Sequence, residues 1–278
     1  MPEGHVTHRI AGELNRQFGR REVRSTSPQG RFDAAAVVDG REFELAEAFG
    51  KHMYLRFEDL DEQVHIHLGL IGKFFFFAEA DPATENARWR MSALDPDVTM
   101  ELRGATICAL SSPADKERTV ASLGPDPLRP DADPDVARAR IRKSASPIGV
   151  LMMDQKIFAG VGNIYRAETL FRHNIDPMMA GRFLRNAEFD ALWDDLVELM
   201  PLGVRDGRID TVRPEHSPEA TGRDPRVDKH GGEVYVYRRA GQPCLVCGTP
   251  ISTTELASRN LFWCKHCQPR SRRRSVRD

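Results

Sequence analysis

The sequence predicts an α+β protein of more than one domain, with a strand-rich N-terminal half, a helical second half and a short cysteine-rich end. Three observations predict this class. One amphipathic helix is followed by a long strand-like segment, a proline-rich stretch then gives way to helical spacing, and four cysteines crowd into residues 244–267. The 278 residues suit one or two domains and can bury a large core without disulfide bonds.

The N-terminal half begins with one helix and continues as strands. Apolar residues recur every four positions from Val6 to Leu14, which predicts a helix over residues 5–18. Residues 20–110 then favour strands. Within them, residues 63–70 alternate between polar and apolar side chains, the period of a strand with one buried face. An antiparallel sandwich or barrel accounts for this pattern.

A proline-rich segment separates the two halves, and helical spacing follows it. Residues 123–135 contain four prolines and predict a linker. Helical spacing then appears in four segments, residues 135–143, 147–156, 163–173 and 186–200. Residues 205–232 predict a long mobile loop, and residues 234–268 predict short strands around the cysteines. The predicted parts are residues 1–122, the linker 123–135, residues 136–232, residues 233–268 and a basic tail, 269–278.

The net charge of −1 conceals an uneven distribution. Residues 231–278 hold nine Lys and Arg against three Asp and Glu, whereas the other 230 residues hold 31 basic and 38 acidic side chains. A basic end on an acidic body still offers a face that binds anions. The arginines from Arg270 to Arg277 are equally consistent with a frayed, solvated tail.

The composition gives no sign of a membrane protein or a secreted one. No apolar run reaches the about 18 residues of a membrane-spanning helix. The start, MPEGHVTHRI, lacks the apolar core of a signal peptide. We therefore expect a cytoplasmic protein with no membrane partner.

The cysteines predict one structural zinc ion. Cys244, Cys247, Cys264 and Cys267 form a C-x2-C-x16-C-x2-C pattern, in which each pair presents two thiolates on one side of a tight turn. Four thiolates complete a tetrahedron around Zn²⁺ and leave no open position for catalysis. Iron or a redox-active dithiol pair is the alternative.

Other candidate ligands and nucleophiles have simpler interpretations. Cys108 lies in an apolar, strand-like run, which favours a small buried side chain over a nucleophile. His65 and His67 share one strand face but have no third ligand nearby in the sequence, which favours a structural role. His266 lies inside the second cysteine pair, where four thiolates already fill the site.

The first residues, Met1-Pro2-Glu3-Gly4, suggest a nucleophile at the chain terminus. Methionine is commonly removed before a small residue, which leaves Pro2 as a free secondary amine. Such α-amines have pKa values of about 7.7–8.0, so part of the population is neutral at pH 7 and can attack an aldehyde-level carbon to form an iminium. Glu3 is a candidate proton donor beside it. Many proteins begin with Met-Pro, so this motif alone does not define an enzyme.

Five motifs in one order point to a known family. They are MPEG at the start, Gly50-Lys51 before a strand, HLGLIG at residues 67–72, FAGVGNIYRAETLF at residues 158–171 and the four-cysteine segment. Together they resemble the formamidopyrimidine-DNA glycosylase/endonuclease VIII family of base-excision repair enzymes. The resemblance covers residues 2–268, nearly the whole chain.

The resemblance implies an N-terminal β-sandwich with flanking helices, a helix–two-turn–helix module and a C-terminal four-cysteine zinc ribbon. It implies a monomer that binds double-stranded DNA carrying a damaged base or an abasic site, in the cytoplasm and with the nucleoid. The implied activity is that of a bifunctional DNA glycosylase and AP lyase. Pro2 attacks C1′ of an extruded nucleotide and forms a Schiff base, Glu3 moves protons, and β,δ-elimination cuts the strand on both sides.

The resemblance also assigns roles to residues further along the chain. Lys51 lies beside the reacting sugar and phosphate, and Leu70 is the apolar wedge that fills the vacated base stack. Asn163 opens a helix after a glycine pair and contacts a phosphate, while Glu168 on that helix orders the turn. Arg259 in the ribbon grips the backbone beside the lesion and assists δ-elimination. Taken singly, each is equally consistent with an ordinary solvated, buried or capping residue.

Two features bear on the substrate. Family members usually carry an acidic residue near the sixth position, where this chain has His5-Val6. MPEG and the leucine wedge favour the endonuclease VIII branch and oxidised pyrimidines, whereas the form of HLGLIG is closer to the formamidopyrimidine branch. The alternatives are therefore a formamidopyrimidine or 8-oxoguanine specificity, or a protein that binds damaged DNA or abasic sites without chemistry.

Overall fold

The computed structural model of the protein describes residues 2–77, 83–94, 97–227 and 232–271. The chain divides into two compact units, Met1–Ser122 (unit 1) and Leu123–Asp278 (unit 2). Within the described ranges, no helix is both long enough and apolar enough to cross a bilayer. Most of the predicted basic tail, residues 272–278, lies outside the described residues, as does Met1.

Unit 1 is a two-sheet sandwich, which confirms the predicted N-terminal fold. Its helices are α1 (Gly4–Phe18), α2 (Ala35–Val38) and α3 (Pro113–Ser122). Its strands are β1 (Arg21–Glu22), β2 (Arg24–Thr26), β3 (Glu42–Phe49), β4 (His52–Phe57), β5 (Gln63–His67), β6 (Lys73–Phe77), β7 (Trp89–Leu94), β8 (Asp97–Arg103) and β9 (Ile107–Ser111).

The strands form two antiparallel sheets, in the orders β1-β3-β4-β5-β9 and β2-β7-β8-β6. Because successive side chains on a strand point to opposite faces, each sheet contributes alternate residues to one shared core. Met53 and Ile66 from the first sheet and Trp89 and Met100 from the second belong to this core. The opposite face of the first sheet carries polar and aromatic side chains.

Helix α1 runs antiparallel to β3 and packs against it. Its apolar stripe, predicted from the spacing of Val6 to Leu14, is buried from Ile10 to Phe18. Two side-chain bonds fix the helix to the strand, because Asn15 Nδ2 donates to the Ala46 carbonyl (2.9 Å) and the Ala46 N–H donates to Asn15 Oδ1 (2.6 Å). One turn further on, the Phe18 and Phe43 rings meet edge to face at 6.3 Å.

The predicted strand over residues 63–70 is too long. Strand β5 ends at His67, and Leu68 to Gly72 form a turn. Gly69 has φ of +67°, a left-handed conformation that a strand cannot contain and that favours glycine. The apolar alternation continues past the strand because Leu68 still points into the core, whereas Leu70 is exposed on the turn.

Unit 2 contains the predicted helices followed by one short hairpin. The helices are α4 (Pro134–Arg142), α5 (Ile148–Leu151), α6 (Asn163–Arg172), α7 (Asn186–Asp206) and α8 (Pro218–Thr221), with 3-10 turns at Gly181–Phe183 and Pro214–His216. The strands are β10 (Ser252–Leu256) and β11 (Arg259–Trp263), which pair antiparallel.

Three details of unit 2 differ from the sequence-based expectation. Helix α5 ends at Leu151 rather than 156, because Asp154 accepts a bond from the Lys156 N–H and turns the chain. Helix α7 continues six residues past the expected end at 200, since Pro201 removes one backbone donor without breaking the helix, and Gly207 caps it. The expected loop over residues 205–232 contains a 3-10 turn and α8.

The proline-rich segment belongs to unit 2 and is bonded to the chain around residues 155–159. The Gly124 N–H donates to the Gln155 carbonyl at 2.9 Å, and the Ala159 N–H donates to the Pro125 carbonyl at 3.1 Å. The Asp126 side chain is buried and accepts from the Leu128 N–H at 3.0 Å. These bonds hold the segment in place.

A buried carboxylate fastens a second irregular segment, residues 235–237, to helix α6. Glu168 is fully buried and accepts four hydrogen bonds, from Thr211 Oγ1 (2.6 Å) and from three successive backbone N–H groups. These donors belong to Tyr235 (2.7 Å), Val236 (2.9 Å) and Tyr237 (2.8 Å). Such charge-assisted bonds satisfy both carboxylate oxygens and order the chain leading into the cysteine segment.

Candidate functional site

The chain start and the β3–β4 hairpin come to the same end of the unit 1 sandwich. Because α1 is antiparallel to β3 and bonded to it at Asn15 and Ala46, both elements extend from that point toward one end. The helix covers about 18 Å from Asn15 back to Glu3 at 1.5 Å per residue. The strand and turn cover about 17 Å from Ala46 to Lys51 at 3.3 Å per residue. The predicted nucleophile and the predicted lysine therefore share this end.

The first two predicted catalytic residues differ in exposure. Pro2 is half-buried, whereas Glu3 is 0% exposed and precedes the first turn of α1 as its N-cap. The Glu3 carbonyl accepts from the Val6 N–H at 3.0 Å. A carboxylate at this place interacts favourably with the positive end of the helix dipole. His5, which stands near the family's usual acidic position, is buried, and burial lowers its pKa to about 4, so it is neutral at pH 7.

Lys51 lies at the β3–β4 turn beside a group of three histidines. His52 opens β4 and pairs in register with His67, while His65 lies one pair further along the same face. His52 Nδ1 and His65 Nε2 are 2.9 Å apart, and the His52 and His67 rings are 4.8 Å apart. Burial lowers the pKa of His67, and the nearby charge of Lys51 lowers it further. Because His52 pairs with His67, the turn that carries Lys51 lies beside the end of β5.

His52 is the third imidazole beside His65 and His67, which was not apparent from the sequence. The three histidines nevertheless do not form a metal site. Burial, followed by the charges of neighbouring histidines, lowers the pKa of both His52 and His65 to about 4. Across the described ranges, the four cysteines are the one group whose ligand atoms meet closely enough to hold an ion. The histidines are thus neutral, stacked side chains on the outer sheet face, with His65 also stacked on Tyr54.

Leu70 lies at the same end of the first sheet as the β3–β4 turn. Because His52 pairs with His67, the turn that follows His67 lies next to the β3–β4 turn that carries Lys51. Leu70 is 55% exposed, so the sequence alternative of a buried strand leucine is wrong. Cys108 is buried, which confirms the prediction of a small buried side chain, and this burial raises the pKa of its thiol to about 12.

The four cysteines of unit 2 are arranged as a tetrahedral zinc site. All four sulfur atoms lie within 4.8 Å of one another, with Cys244 and Cys267 Sγ atoms 3.9 Å apart and Cys247 and Cys264 Sγ atoms 3.5 Å apart. A tetrahedron with Zn–S bonds of about 2.3 Å has edges of about 3.8 Å. The donor set and spacing fit one structural Zn²⁺, as predicted.

Asn163 opens helix α6 after Gly162 and is 5% exposed. Its Nδ2 donates to the Asn260 carbonyl at 3.1 Å, and its Oδ1 accepts from Arg166. Arg166 is fully buried and also donates to the Gly149 carbonyl at 3.3 Å. Arg166 was not predicted from the sequence, although its i, i+3 spacing from Asn163 places the two side chains on one helix face. Together they bind the helix start to the cysteine-segment hairpin.

Arg259 begins strand β11, directly after the two-residue turn Ala257-Ser258. Both turn residues have positive φ, +53° and +57°, as a type I′ hairpin turn requires. Non-glycine residues pay about 1–2 kcal/mol each for this conformation, so the surrounding fold must hold the turn. Arg259 Nη1 donates to the Ser258 carbonyl at 3.0 Å, while its buried Nε has no partner among the described residues.

Comparison with known proteins finds family matches for three segments of the chain. Residues 1–106 match the formamidopyrimidine-DNA glycosylase N-terminal domain, residues 123–213 match the formamidopyrimidine-DNA glycosylase H2TH domain, and residues 241–270 match the zinc finger found in FPG and IleRS. Endonuclease 8 1 of Mycobacterium tuberculosis is 46% identical over 278 residues, which cover 96% of this chain and 100% of that protein.

More distant relatives share the same architecture. Formamidopyrimidine-DNA glycosylase of Synechococcus sp. is 33% identical, covering 73% of this chain and 72% of that protein. Lactococcus lactis Fpg bound to DNA containing N7-benzyl-Fapy-dG superposes with a TM-score of 0.77 at 21% identity, over 97% of this chain and 100% of that one. Thermus thermophilus MutM superposes with a TM-score of 0.75 at 24% identity, with the same coverage. These structural matches establish the fold, including the helix–two-turn–helix module.

The free energy of unfolding is expected to fall as the pH drops from about 6.5 to 5. The pKa values of His5, His52 and His65 are near 4 in the folded protein, below the about 6.5 of an unfolded chain. The unfolded state therefore binds more protons than the folded state between pH 6.5 and 5, which lowers the free energy of unfolding. Carboxylates titrate mainly below this pH range. Urea unfolding at pH 7 and pH 5 measures the slope, and the double variant H52Q/H65Q should flatten it. An unchanged slope in this variant contradicts the assignment.

Zinc removal is expected to loosen the helical part of unit 2 together with the cysteine segment. Cys244 and Cys264 belong to the same core cluster as the helices, and Gln268 bonds both the Cys264 N–H (3.0 Å) and the Ile175 carbonyl (2.9 Å). Hydrogen exchange after chelation should show lost protection at the start of α6, while β4 and β5 stay protected. The chelator should have no further effect on C264S. Loss of protection in β4 and β5 contradicts the division into units.

Proposed function

Because the chain belongs to the formamidopyrimidine-DNA glycosylase/endonuclease VIII family of base-excision repair glycosylases and AP lyases, we propose that it removes oxidised pyrimidines from double-stranded DNA. The nucleophile is Pro2, and the same active site then cuts the strand at the resulting abasic site. The observation that carries this proposal is that Pro2, a buried Glu3 and the β3–β4 turn with Lys51 lie toward one end of the sandwich.

The proposed reaction begins once Met1 is removed and the Pro2 nitrogen carries a free electron pair. This nitrogen attacks C1′ of the extruded nucleotide, and the glycosidic bond breaks as the base leaves with the bonding electrons and takes up a proton. Glu3 donates a proton to the ring oxygen O4′, so the sugar opens and the nitrogen and C1′ form an iminium ion.

The iminium ion then acts as an electron sink for strand cleavage. Loss of a proton from C2′ drives β-elimination, in which the C3′–O bond breaks and the 3′ phosphate leaves. A further proton loss drives δ-elimination, which breaks the C5′–O bond and releases the 5′ phosphate. Water finally hydrolyses the Schiff base and frees Pro2. A buried carboxylate such as Glu3 suits repeated proton transfers because it is held in one place.

Other residues bind the DNA around this reaction. Lys51 is placed to neutralise a phosphate beside the reacting sugar, and Leu70 is placed to enter the base stack from its exposed turn. In unit 2, the partly exposed Arg259 side chain brings a guanidinium group to a backbone phosphate. Asn163 contributes at the start of α6, where it and Arg166 fix the hairpin that carries Arg259.

Two observations support pyrimidine over purine lesions. The 46% identical relative is named Endonuclease 8 1, and the chain shares the MPEG start and a leucine at the wedge position that favour this branch. The second candidate, a formamidopyrimidine or 8-oxoguanine specificity, is supported by the HLGLIG form and by relatives named formamidopyrimidine-DNA glycosylase at 33% identity or less.

Single-turnover excision from a panel of duplexes tests the proposal. A duplex containing thymine glycol or 5-hydroxycytosine should be cleaved at least about tenfold faster than one with 8-oxoguanine, a difference of about 1.4 kcal/mol in transition-state binding. The reverse order favours the second candidate. If the protein cleaves neither a lesion nor an abasic site, it binds damaged DNA without chemistry.

The variant Glu3→Gln should lower base excision by about 10²–10⁴-fold, because it removes the proposed proton donor without changing its size. Glu13→Gln is the matched control on the same helix, since Glu13 is ion-paired with Arg16 on the surface. Equal rates for the two variants contradict the role of Glu3.

A further inference from the structure

Arg239 is a buried cation on the segment that leads into the first cysteine pair, with a side chain that is 8% exposed. Its Nη1 donates to the Tyr235 carbonyl at 2.5 Å, and its Nη2 donates to the Pro243 carbonyl at 2.8 Å. Its Nε donates to Gln242 Oε1 at 3.1 Å. All three nitrogen atoms of the guanidinium group are therefore hydrogen-bonded within residues 235–243.

The planar guanidinium group closes this segment into a loop. Its two terminal nitrogen atoms reach the carbonyls of Tyr235 and Pro243, which are the two ends of the segment. The Pro243 carbonyl belongs to the peptide bond that joins Pro243 to Cys244, so the positive charge lies beside the backbone of the first zinc ligand. A lysine carries one ammonium on a flexible stem and cannot reproduce this fixed fork.

The same loop is bonded to a buried carboxylate on helix α6. The Tyr235 N–H donates to Glu168 Oε2 at 2.7 Å, while the Tyr235 carbonyl accepts from Arg239. Burial lowers the pKa of Arg239, whereas the negative charges of Glu168 and Cys244 act in the opposite direction. The guanidinium charge therefore interacts both with the helix carboxylate and with the first cysteine.

The zinc site carries a charge that its own atoms do not balance. Four thiolates around Zn²⁺ leave two negative charges, and Cys244 and Cys264 are buried. Burial of a charge is costly unless an opposite charge or hydrogen-bond donors compensate it. Lys265 and His266 are exposed, so solvent and salt screen their effect. Arg239 is shielded from solvent and can supply part of the compensating charge.

The two cysteine pairs are held by different side chains. In the second pair, the Cys264 N–H donates to the uncharged amide of Gln268 at 3.0 Å. In the first pair, the Cys244 N–H donates to a backbone carbonyl, that of Thr249, at 2.9 Å, and Arg239 bonds the preceding peptide. The charged side chain therefore acts on the first pair.

We propose that Arg239 is a positioning residue of the zinc site, which fixes the peptide before Cys244 and offsets part of the negative charge of the four thiolates. Zinc retention then depends on a side chain that is not itself a ligand. This inference concerns zinc binding alone, so it can fail while the proposed function stands.

The test compares Arg239→Met and Arg239→Lys with the same two changes at Arg238, in the full-length zinc protein. Arg238 is the matched control, because it is adjacent and exposed and lies over the Tyr237 ring. R239M should release zinc to a chromophoric chelator about 10–100-fold faster than the wild type, as expected when a group that orients a metal ligand is lost. R239K keeps the charge but loses the fork, and should release zinc about three- to tenfold faster. R238M and R238K should stay within about twofold of the wild type.

Cobalt substitution separates the effect of charge from a loss of packing. With Co²⁺ in the site, R239M should shift the sulfur-to-cobalt charge-transfer band to longer wavelength, since loss of a nearby positive charge raises the energy of the sulfur electrons. R239K should keep the wild-type band. Zinc release from R239M at the rate of R238M overturns the inference, and so does an unchanged cobalt band in R239M. If R239M does not fold, R239K decides, because a release rate equal to that of R238K overturns the inference.

Discussion

The two hydrogen bonds between Asn15 and the backbone of Ala46 fix where the chain begins. The direction in which the first residues of a chain extend depends strongly on the element that follows them. Here that element is α1, which is bonded and packed to β3 near its C-terminal end. The helix therefore extends from a fixed point toward the β3–β4 turn. This arrangement directs Pro2 and the buried Glu3 toward the end of the sandwich that carries the β3–β4 turn with Lys51.

In unit 2, the main constraint is a strained two-residue turn directly before Arg259. Arg259 follows Ala257 and Ser258, whose positive φ angles disfavour the hairpin in isolation. The zinc site closes the hairpin segment on one side, and Asn163 and Arg166 bond to its backbone on the other. The four-cysteine site and helix α6 therefore both hold the hairpin to which Arg259 belongs.

Short-range patterns predicted much of this molecule, and long-range contacts account for what they missed. The spacing of Val6 to Leu14 gave helix α1, and the cysteine spacing gave the zinc site, because both signals are local. The end of β5 was misplaced, since Leu70 keeps the alternation after Gly69 has already turned the chain. Arg166 was overlooked because its partners, the carbonyls of Gly149 and Asn260, are far away in sequence. The third histidine of the outer face was missed for the same reason.

The central claim is a covalent bond between the Pro2 nitrogen and C1′ of deoxyribose. Borohydride reduction during reaction with abasic DNA, followed by protease digestion and mass spectrometry, locates that bond. The account predicts a processed N-terminal peptide that lacks Met1 and carries the reduced sugar on Pro2. An adduct on Lys51 or another lysine, or active protein that retains its initiator methionine, contradicts it.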